Sequence, residues 1–378
     1  MEAEVTTGHG CPVGDRISPR GDQACGAGAR PSVVGPRLYL AFVVLVGAEI
    51  FSGASAGPKL FGWWTWCVTF WLYFLHFFLF ANLALRTRRT SLRALYLWGV
   101  LYGLYEGPLT KVIWAGFGAD GEFALARDGF TGQLLGHGLT EMSMALLWHP
   151  FVSFLLPLYI ATLLMPELRE LFPDIGRLFA GSRPARLLRT YAAATFALTL
   201  PAVMSFAYGG ARTPTYVLLT WAVVLGLLML GYRCFAQRMR QPGMAYRVVV
   251  LQRRAYALTW FFFVLMYVLF YFGLRPEALP PAKVQLLTCG LYLLTGLAIW
   301  RTPAIEPVSE GAVADTIPSE WRRLRWGFAT VVVGSVVLGL LAVVPSCLLA
   351  MQTVFAANAL VWTLLGPAAF LSAAFPRR

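Results

Sequence analysis

Long apolar runs alternate with short basic segments along most of the chain. A transmembrane helix needs roughly 20 apolar residues, and most of the runs are about that long. The pattern therefore predicts an all-α, polytopic membrane helix bundle with about ten spans. The runs cover approximately residues 38–51, 61–85, 94–114, 136–166, 188–208, 214–232, 255–274, 284–300, 327–346 and 349–371.

The composition agrees with this pattern, because 58% of the residues are hydrophobic and only 13% are charged. A soluble chain carries about twice that share of charge. The net charge of +13 is a feature of many nucleic-acid-binding proteins. Here, however, the basic residues are concentrated between apolar runs, as expected of a topology signal. We predict the lipid bilayer as the partner and exclude nucleic acid.

The largest basic clusters follow every second apolar run. The positive-inside rule assigns such clusters to the cytoplasm. We therefore predict a protein of the plasma (inner) membrane of a bacterium-like cell, with both termini cytoplasmic. The clusters lie within residues 86–93, 233–254 and 301–325.

Four regions follow from the same pattern. Residues 1–36, rich in Gly, Pro and Arg, are predicted to be a disordered cytosolic tail. Residues 37–165 contain spans 1–4. Residues 166–187 place apolar side chains at helical spacing, which predicts an amphipathic helix on the membrane surface. Residues 188–378 contain spans 5–10.

The third span carries Glu106 and Lys111 at hydrocarbon depth. Charged groups in the bilayer cost several kcal/mol unless they are paired or hydrated, so they favour a functional site. The alternative is a kinked packing helix in which Glu106 is a protonated acid bonded to a neighbour. A direct contact between the two side chains requires a change of chain direction between them, because five residues of helix separate them by about 140°.

Small residues accompany Glu106 in this span. Gly99, Gly103 and Gly107 form two overlapping small-xxx-small repeats, which allow another helix to approach closely. Pro108 lacks an N–H and clashes with the carbonyl of Leu104, so we expect the helix to kink or break just after the carboxylate. That carbonyl then needs another hydrogen-bond donor.

Further ionisable residues lie in spans 1 and 4. Glu49 interrupts the first span, while His137, Glu141 and His149 recur at multiples of four residues in the fourth. On one helix, His137 and Glu141 would be neighbours. Depths counted along the helices place these groups mainly in the outer half of the membrane, which predicts a polar cavity open to the outside. His76, in the second span, is interpreted as a packing residue that does not join it.

Three chemistries compete for this cavity. Histidine and carboxylate are suitable zinc ligands, but no HExxH motif is present, so we predict neither a metal nor another cofactor. Ser52, Ser143 and Ser153 lack the nucleophile-elbow context of a serine hydrolase. Broken helices around an embedded acid are typical of transporters, although spans 6–10 lack a residue comparable to Glu106. A non-catalytic scaffold remains open.

Two short motifs carry a family resemblance. Glu49-Ile-Phe-Ser52-Gly53 with Pro58, followed by LYGLYEG at 101–107, resembles uncharacterised bacterial multi-pass membrane proteins. The chain is also faintly similar to CAAX-protease-like membrane proteins: Glu106 and Lys111 have the spacing of the first Glu and the Arg in their EExxxR motif. Gly107 replaces the second Glu, and no histidine follows His149.

We predict transport of a small solute or ion, with Glu106 as the proton- or cation-responsive group and Glu49, Lys111 and His149 as its neighbours. An intramembrane metal-dependent or acid/base hydrolase and a scaffold are the alternatives. The sequence specifies neither the substrate, the coupling ion nor the oligomeric state.

Overall fold

A computed structural model describes residues 32–51, 55, 57–115, 132–179, 210–305 and 317–376. Most of the predicted tail, the span predicted at 188–208 and the end of the predicted surface helix lie outside these residues. The remaining predicted spans fall within them and can be compared with the sequence analysis.

The described residues are mainly helical, with one short antiparallel hairpin of β1 (Gln133–Leu134) and β2 (His137–Gly138). Three stretches have π-helical winding: Val46–Ile50, Thr65–Thr69 and Met144–Leu155. Short 3₁₀ turns occur at Gly57–Phe61, Ile175–Phe179, Gly210–Arg212 and Pro276–Ala278. The α-helices are α1 (Val34–Leu45), α2 (Phe70–Arg86), α3 (Leu92–Thr110), α4 (Val112–Ala115), α5 (Leu139–Ser143), α6 (Leu156–Leu164), α7 (Leu168–Leu171), α8 (Thr213–Met239), α9 (Met244–Val249), α10 (Arg253–Gly273), α11 (Ala282–Trp300), α12 (Ile317–Leu341) and α13 (Pro345–Ala374).

Within the described residues, seven helical segments are long and apolar enough to cross a membrane. They coincide with seven of the predicted spans, which confirms the all-α polytopic bundle. The predicted spans 1 and 3 are the helices α1 and α3, which lie in the core. The seven segments are Thr65–Arg86, Leu139–Leu164, Gly210–Met239, Met244–Gly273, Ala282–Trp300, Glu320–Leu341 and Pro345–Ala374.

Burial differs sharply between the two halves of the bundle. The most apolar windows of the segments that contain α2 and α5–α6 are 67% buried, whereas the corresponding window of the α9–α10 segment is 11% buried. Large apolar side chains such as Phe261, Phe272 and Leu364 are exposed on the second half. Exposed apolar helix faces with internally bonded backbone suit contact with lipid. The first half therefore forms the core of the described bundle.

Several connections predicted to share one side of the membrane meet at one end of the bundle. The start of α1, the end of α2 and the turn before α7 all bond to the segment between α8 and α10. The bonds run from Arg37 to the Val248 carbonyl (2.9 Å), from Arg86 to the Leu251 carbonyl (3.1 Å), and from the Gly243 N–H to the Glu167 carboxylate (3.0 Å). Spans that cross the membrane in alternating directions place these connections on the same side, so the observed bonds agree with alternation.

The predicted surface helix at 166–187 is two short helical turns in its described part. Helix α7 ends at Leu171, and Phe172 has φ −127° and ψ 64°. The reason is Pro173, because a residue before proline is disfavoured in the α region. The apolar side chains are buried within the protein rather than facing a membrane surface: Leu168, Phe172, Ile175 and Leu178.

Helix α3 does not break immediately after Glu106. It continues through Pro108 to Thr110 and ends where Lys111 has a left-handed backbone with φ 61°. The carbonyl of Leu104 accepts a hydrogen bond from the Tyr292 hydroxyl of α11. A neighbouring helix thus supplies the donor that proline lacks, as occurs in other membrane helices.

Candidate functional site

Glycine brings α3 against the π-helical stretch Met144–Leu155. A Cβ added to Gly103 would lie 2.5 Å from the Ala145 carbonyl oxygen, and one added to Gly99 would lie 2.6 Å from the Pro150 Cα. Real Cβ atoms do not approach other atoms so closely, so only glycine fits without movement. Gly107 differs, since its Cβ would make an ordinary 3.4 Å contact with Ile113. Close approach therefore depends on the first two glycines of the stripe.

This approach positions Glu106 against His149. Glu106 Oε2 lies 2.9 Å from His149 Nε2, and the two side chains are 11% and 12% exposed respectively. The other imidazole nitrogen, Nδ1, lies 3.1 Å from Ser153 Oγ. In the neutral imidazole, Nε2–H donates to the carboxylate and Nδ1 accepts from the Ser153 hydroxyl, a tautomer assigned from these partners. The pair can therefore exchange a proton with little movement.

Glu49 lies on the π-helical stretch Val46–Ile50, and hydroxyl donors contact both of its carboxylate oxygens. Tyr73 donates to Oε1 at 2.5 Å, and Ser55 donates to Oε2 at 2.7 Å. The orientation of the Glu49 carboxylate is therefore fixed by Tyr73 on α2 and by Ser55, which follows Glu49 in the chain.

Glycine also brings the two π-helical stretches together. A Cβ on Gly47 would lie 2.6 Å from the Val152 carbonyl oxygen. Because π turns occur frequently at functional sites, the location of Glu49 and His149 on two such stretches in contact favours a functional role for this region.

Two stacked tyrosines connect the carboxylates. The rings of Tyr73 and Tyr102 are 6.2 Å apart at an interplanar angle of 25°, and those of Tyr102 and His149 are 6.0 Å apart at 23°. Glu49 and Glu106 thus occupy the two ends of one continuous group, which we term the polar cluster: Glu49, Tyr73, Tyr102, His149 and Glu106.

His76 is buried among aromatic rings, as expected of a packing residue, and it also borders the polar cluster. Its ring centroid lies 4.8 Å from that of Tyr102, and it interacts electrostatically with Glu106. His76 Nδ1 lies 2.7 Å from the Leu72 carbonyl oxygen. The sequence signal was its spacing from Tyr73, because residues three apart share one face of a helix.

Lys111 lies outside the polar cluster. Its side chain is fully buried, and its ammonium donates to the carbonyls of Phe270 and Leu274 at the C-terminal end of α10. A cation is favourable there, because the last carbonyls of a helix lack internal partners and carry negative partial charge. The structure therefore gives Lys111 a local role in capping α10.

His137 and Glu141 are also outside the polar cluster. The spacing argument required one helix, but His137 is in β2 and α5 begins at Leu139. His137 Nε2 lies 2.8 Å from Thr288 Oγ1, and burial lowers the pKa of this imidazole. Glu141 is buried, and its Oε2 has no hydrogen-bond partner among the described residues.

A metal centre is not evident in the described part of the chain. No group of three or more His, Cys, Asp or Glu side chains there is arranged to hold a metal ion. The polar cluster supplies two carboxylates and an imidazole in hydrogen-bonded contacts with hydroxyl and N–H donors. Carboxylate, imidazole and hydroxyl groups of this kind can accept and donate protons.

Comparison with known proteins supports the membrane assignment. A family model described as an uncharacterised membrane protein family matches residues 38–376. An uncharacterised protein from Archaeoglobus fulgidus is 24% identical over 274 residues, covering 72% of this chain and 79% of that protein. No solved structure matches the chain. The family match confirms the resemblance to uncharacterised membrane proteins, whereas bacterial origin and CAAX-protease-like similarity stay predictions.

Proposed function

We propose that this chain, which belongs to that family of uncharacterised membrane proteins, moves a small solute or ion across a membrane in response to protonation of the Glu106–His149 pair. The observation that carries the proposal is the 2.9 Å contact between these two side chains inside the helix bundle. A buried acid and base are costly in a membrane and typically serve a substrate, ion or proton path.

The surrounding helices support this proposal. The Glu106 partner is on a π-helical stretch that includes Pro150, and Pro108 interrupts hydrogen bonding within α3. Irregular helices close to buried charges are typical of membrane transport sites. In the proposed orientation, the basic end of the bundle faces the cytoplasm of a cell whose plasma membrane contains the protein, and the polar cluster opens outward.

Transport can be measured in vesicles of phosphatidylcholine and phosphatidylglycerol that contain a pH-sensitive dye. Pools of labelled metabolites and inorganic ions are added outside, and uptake and internal pH are followed. We expect at least one pool to enter wild-type vesicles, and the variants Glu106→Gln and His149→Gln to abolish its entry while remaining folded. Glu141→Gln is the matched control and retains uptake. Equal uptake by wild type, Glu106→Gln and empty vesicles for every pool removes the proposal.

A second candidate is an intramembrane hydrolase, which one contact specifically favours. Ser153 Oγ, His149 and Glu106 are joined in the order nucleophile, base and carboxylate, which is the arrangement of serine hydrolases. Ser153 would attack an acyl carbonyl as His149 Nδ1 takes its proton. His149 would return that proton to the leaving alcohol or amine, and water would release the acyl group.

This candidate ranks second because Ser153 has no exposed surface, so an acyl substrate lacks access to its oxygen in this conformation. A fluorophosphonate probe tests it directly. Hydrolase chemistry requires labelling that is lost in Ser153→Ala and retained in Ser143→Ala. Ser143 is a matched control, since it is buried in the same span and bonds the Leu139 carbonyl. A lack of serine labelling in the folded wild type, at pH values on both sides of neutrality, argues against a hydrolase.

A further inference from the structure

We propose that Tyr102 and Tyr73 connect the Glu106–His149 pair to Glu49 as a single proton path, so that the ion in the proposed function is a proton rather than a metal cation. This inference rests on the proposed function and specifies its ion. Its geometric basis is the series of ring contacts from Tyr73 through Tyr102 to His149, whose end members contact Glu49 and Glu106 directly.

The Glu49 end has the chemistry of proton transfer. Both carboxylate oxygens receive hydroxyl hydrogens, from Tyr73 and Ser55. Each oxygen keeps a second lone pair, but both already accept a hydrogen from a hydroxyl group, and a proton can move along such a bond. A hydroxyl group both donates and accepts. Tyr73 can therefore give its proton to Glu49 and take another from the side of Tyr102.

The middle of the path contains two polar atoms that indicate a bound water. Among the described residues, the Tyr102 hydroxyl and His76 Nε2 are buried without hydrogen-bond partners, and the two rings are in contact. Each unsatisfied buried group costs about 1–3 kcal/mol. A water bonded to both atoms would offset this cost, since buried waters typically make two to four bonds to such groups.

The direction of the hydrogen bonds at His76 suits this water. His76 Nδ1 faces the Leu72 carbonyl oxygen at 2.7 Å, so Nδ1 carries the hydrogen and Nε2 is an acceptor in the neutral ring. The water would donate to Nε2 and bond the Tyr102 hydroxyl. It would then have a second hydrogen available for the rest of the path.

Several titratable groups face this region. Glu49 interacts electrostatically with both Glu106 and His149, and His76 interacts with the same two residues. Helix α13 brings no charged residue to α3. The other elements around α3 also carry titratable groups. These are Glu49 on the stretch Val46–Ile50, Tyr73, His76 and Arg86 on α2, Glu141 on α5, His149 on the stretch Met144–Leu155, Arg177 on the turn Ile175–Phe179, Arg253, Arg254, Tyr256, Tyr267 and Tyr271 on α10, and Lys283, Cys289 and Tyr292 on α11.

Infrared difference spectroscopy of the full chain in lipid vesicles can detect the path without a known solute. Acidification of wild type should produce infrared bands of protonated carboxyl groups. One band should be lost in Glu49→Gln, and a second band should be lost in Glu106→Gln. Tyr73→Phe should shift the Glu49 band because it removes the 2.5 Å hydrogen bond. Tyr105→Phe is the matched control, since the Tyr105 hydroxyl bonds the Phe263 carbonyl and no member of the polar cluster.

Flux measurements separate this inference from the proposed function. In vesicles, Tyr102→Phe should slow proton-driven uptake roughly tenfold or more, whereas Tyr105→Phe should not. Uptake driven by a sodium gradient and insensitive to Tyr102→Phe overturns the proton path and leaves transport standing. If Glu49 and Glu106 show the expected infrared changes on acidification but no solute is taken up, the proton path is supported and the transport proposal is contradicted. A Glu49 band that is unchanged by Tyr73→Phe also overturns the path.

Discussion

The Tyr292 hydroxyl donates a hydrogen bond to the carbonyl of Leu104, the group that Pro108 deprives of its helical partner. This contact joins α11 to α3 nearly two turns before the end of α3. It allows α3 to remain helical as far as Thr110. Glu106 consequently lies within regular helix, and its side chain points towards His149.

The hydroxyl of Tyr292 and the ring of Pro108 should therefore be energetically coupled. Tyr292→Phe leaves the Leu104 carbonyl unsatisfied and should cost about 1–3 kcal/mol of unfolding free energy. In a Pro108→Ala background the alanine N–H serves the same carbonyl, so the cost should be much smaller. Unfolding of all four proteins in detergent gives the coupling from a double-mutant cycle. Equal effects of Tyr292→Phe in both backgrounds would contradict this account.

The close contact at Gly103 should tolerate no added side chain. Gly103→Ala forces α3 away from the Ala145 carbonyl and should destabilise the protein by about 1–3 kcal/mol, the usual cost of overpacking. It should also weaken the pair formed by Glu106, which lies one turn further along α3. Gly107→Ala is the control, because its Cβ would make ordinary contact. If Gly103→Ala and Gly107→Ala lower the thermal midpoint equally, the close approach of α3 to Ala145 does not determine stability.

Lys111 should matter for stability rather than for the response to protons. Lys111→Met removes the donor from two carbonyls at the end of α10, and hydrogen bonds to charged groups contribute about 1.5–3 kcal/mol each. The thermal midpoint should therefore fall, whereas the pH dependence of uptake should not shift. Lys283→Met is a matched control, since Lys283 is exposed. A shifted pH profile in folded Lys111→Met would place this lysine in the proton-responsive site.

His137 should make stability depend on pH. Burial lowers its pKa in the folded protein, so the unfolded chain binds the proton more readily. The contribution of neutral His137 to the free energy of unfolding is complete above the ordinary histidine pKa of about 6.5. It is lost as the pH falls below that value, and the loss levels off once the folded protein also binds the proton. Thermal midpoints of wild type and His137→Gln measured across this range should converge towards acidic pH, and parallel curves would exclude His137 as the cause.

The spans were predictable because bilayer thickness sets their length and every backbone group within them must be bonded internally. The close helix packing at Gly99 and Gly103 was also predictable, because the sequence itself shows where a side chain is absent. Pro173 is an equally local signal, because the residue before a proline is disfavoured in the α region, and α7 ends at Leu171.

The partners of the buried groups were not predictable in the same way. Lys111 bonds residues about 160 positions later in the chain, and its direction depends on a left-handed turn that the sequence does not indicate. The link between Glu106 and His149 required the relative rotation of two helices. The π-helical winding of the second helix changes that rotation, and no simple spacing rule predicts where such winding begins.

The winding of Met144–Leu155 makes the Glu106–His149 contact sensitive to helical pitch. A π turn contains an extra residue compared with an α turn. Rewinding one such turn before His149 would rotate the imidazole by about 100°, the angular step of one residue. Contact with the acid could then be made or broken by a local twist, while both helices keep their places in the bundle.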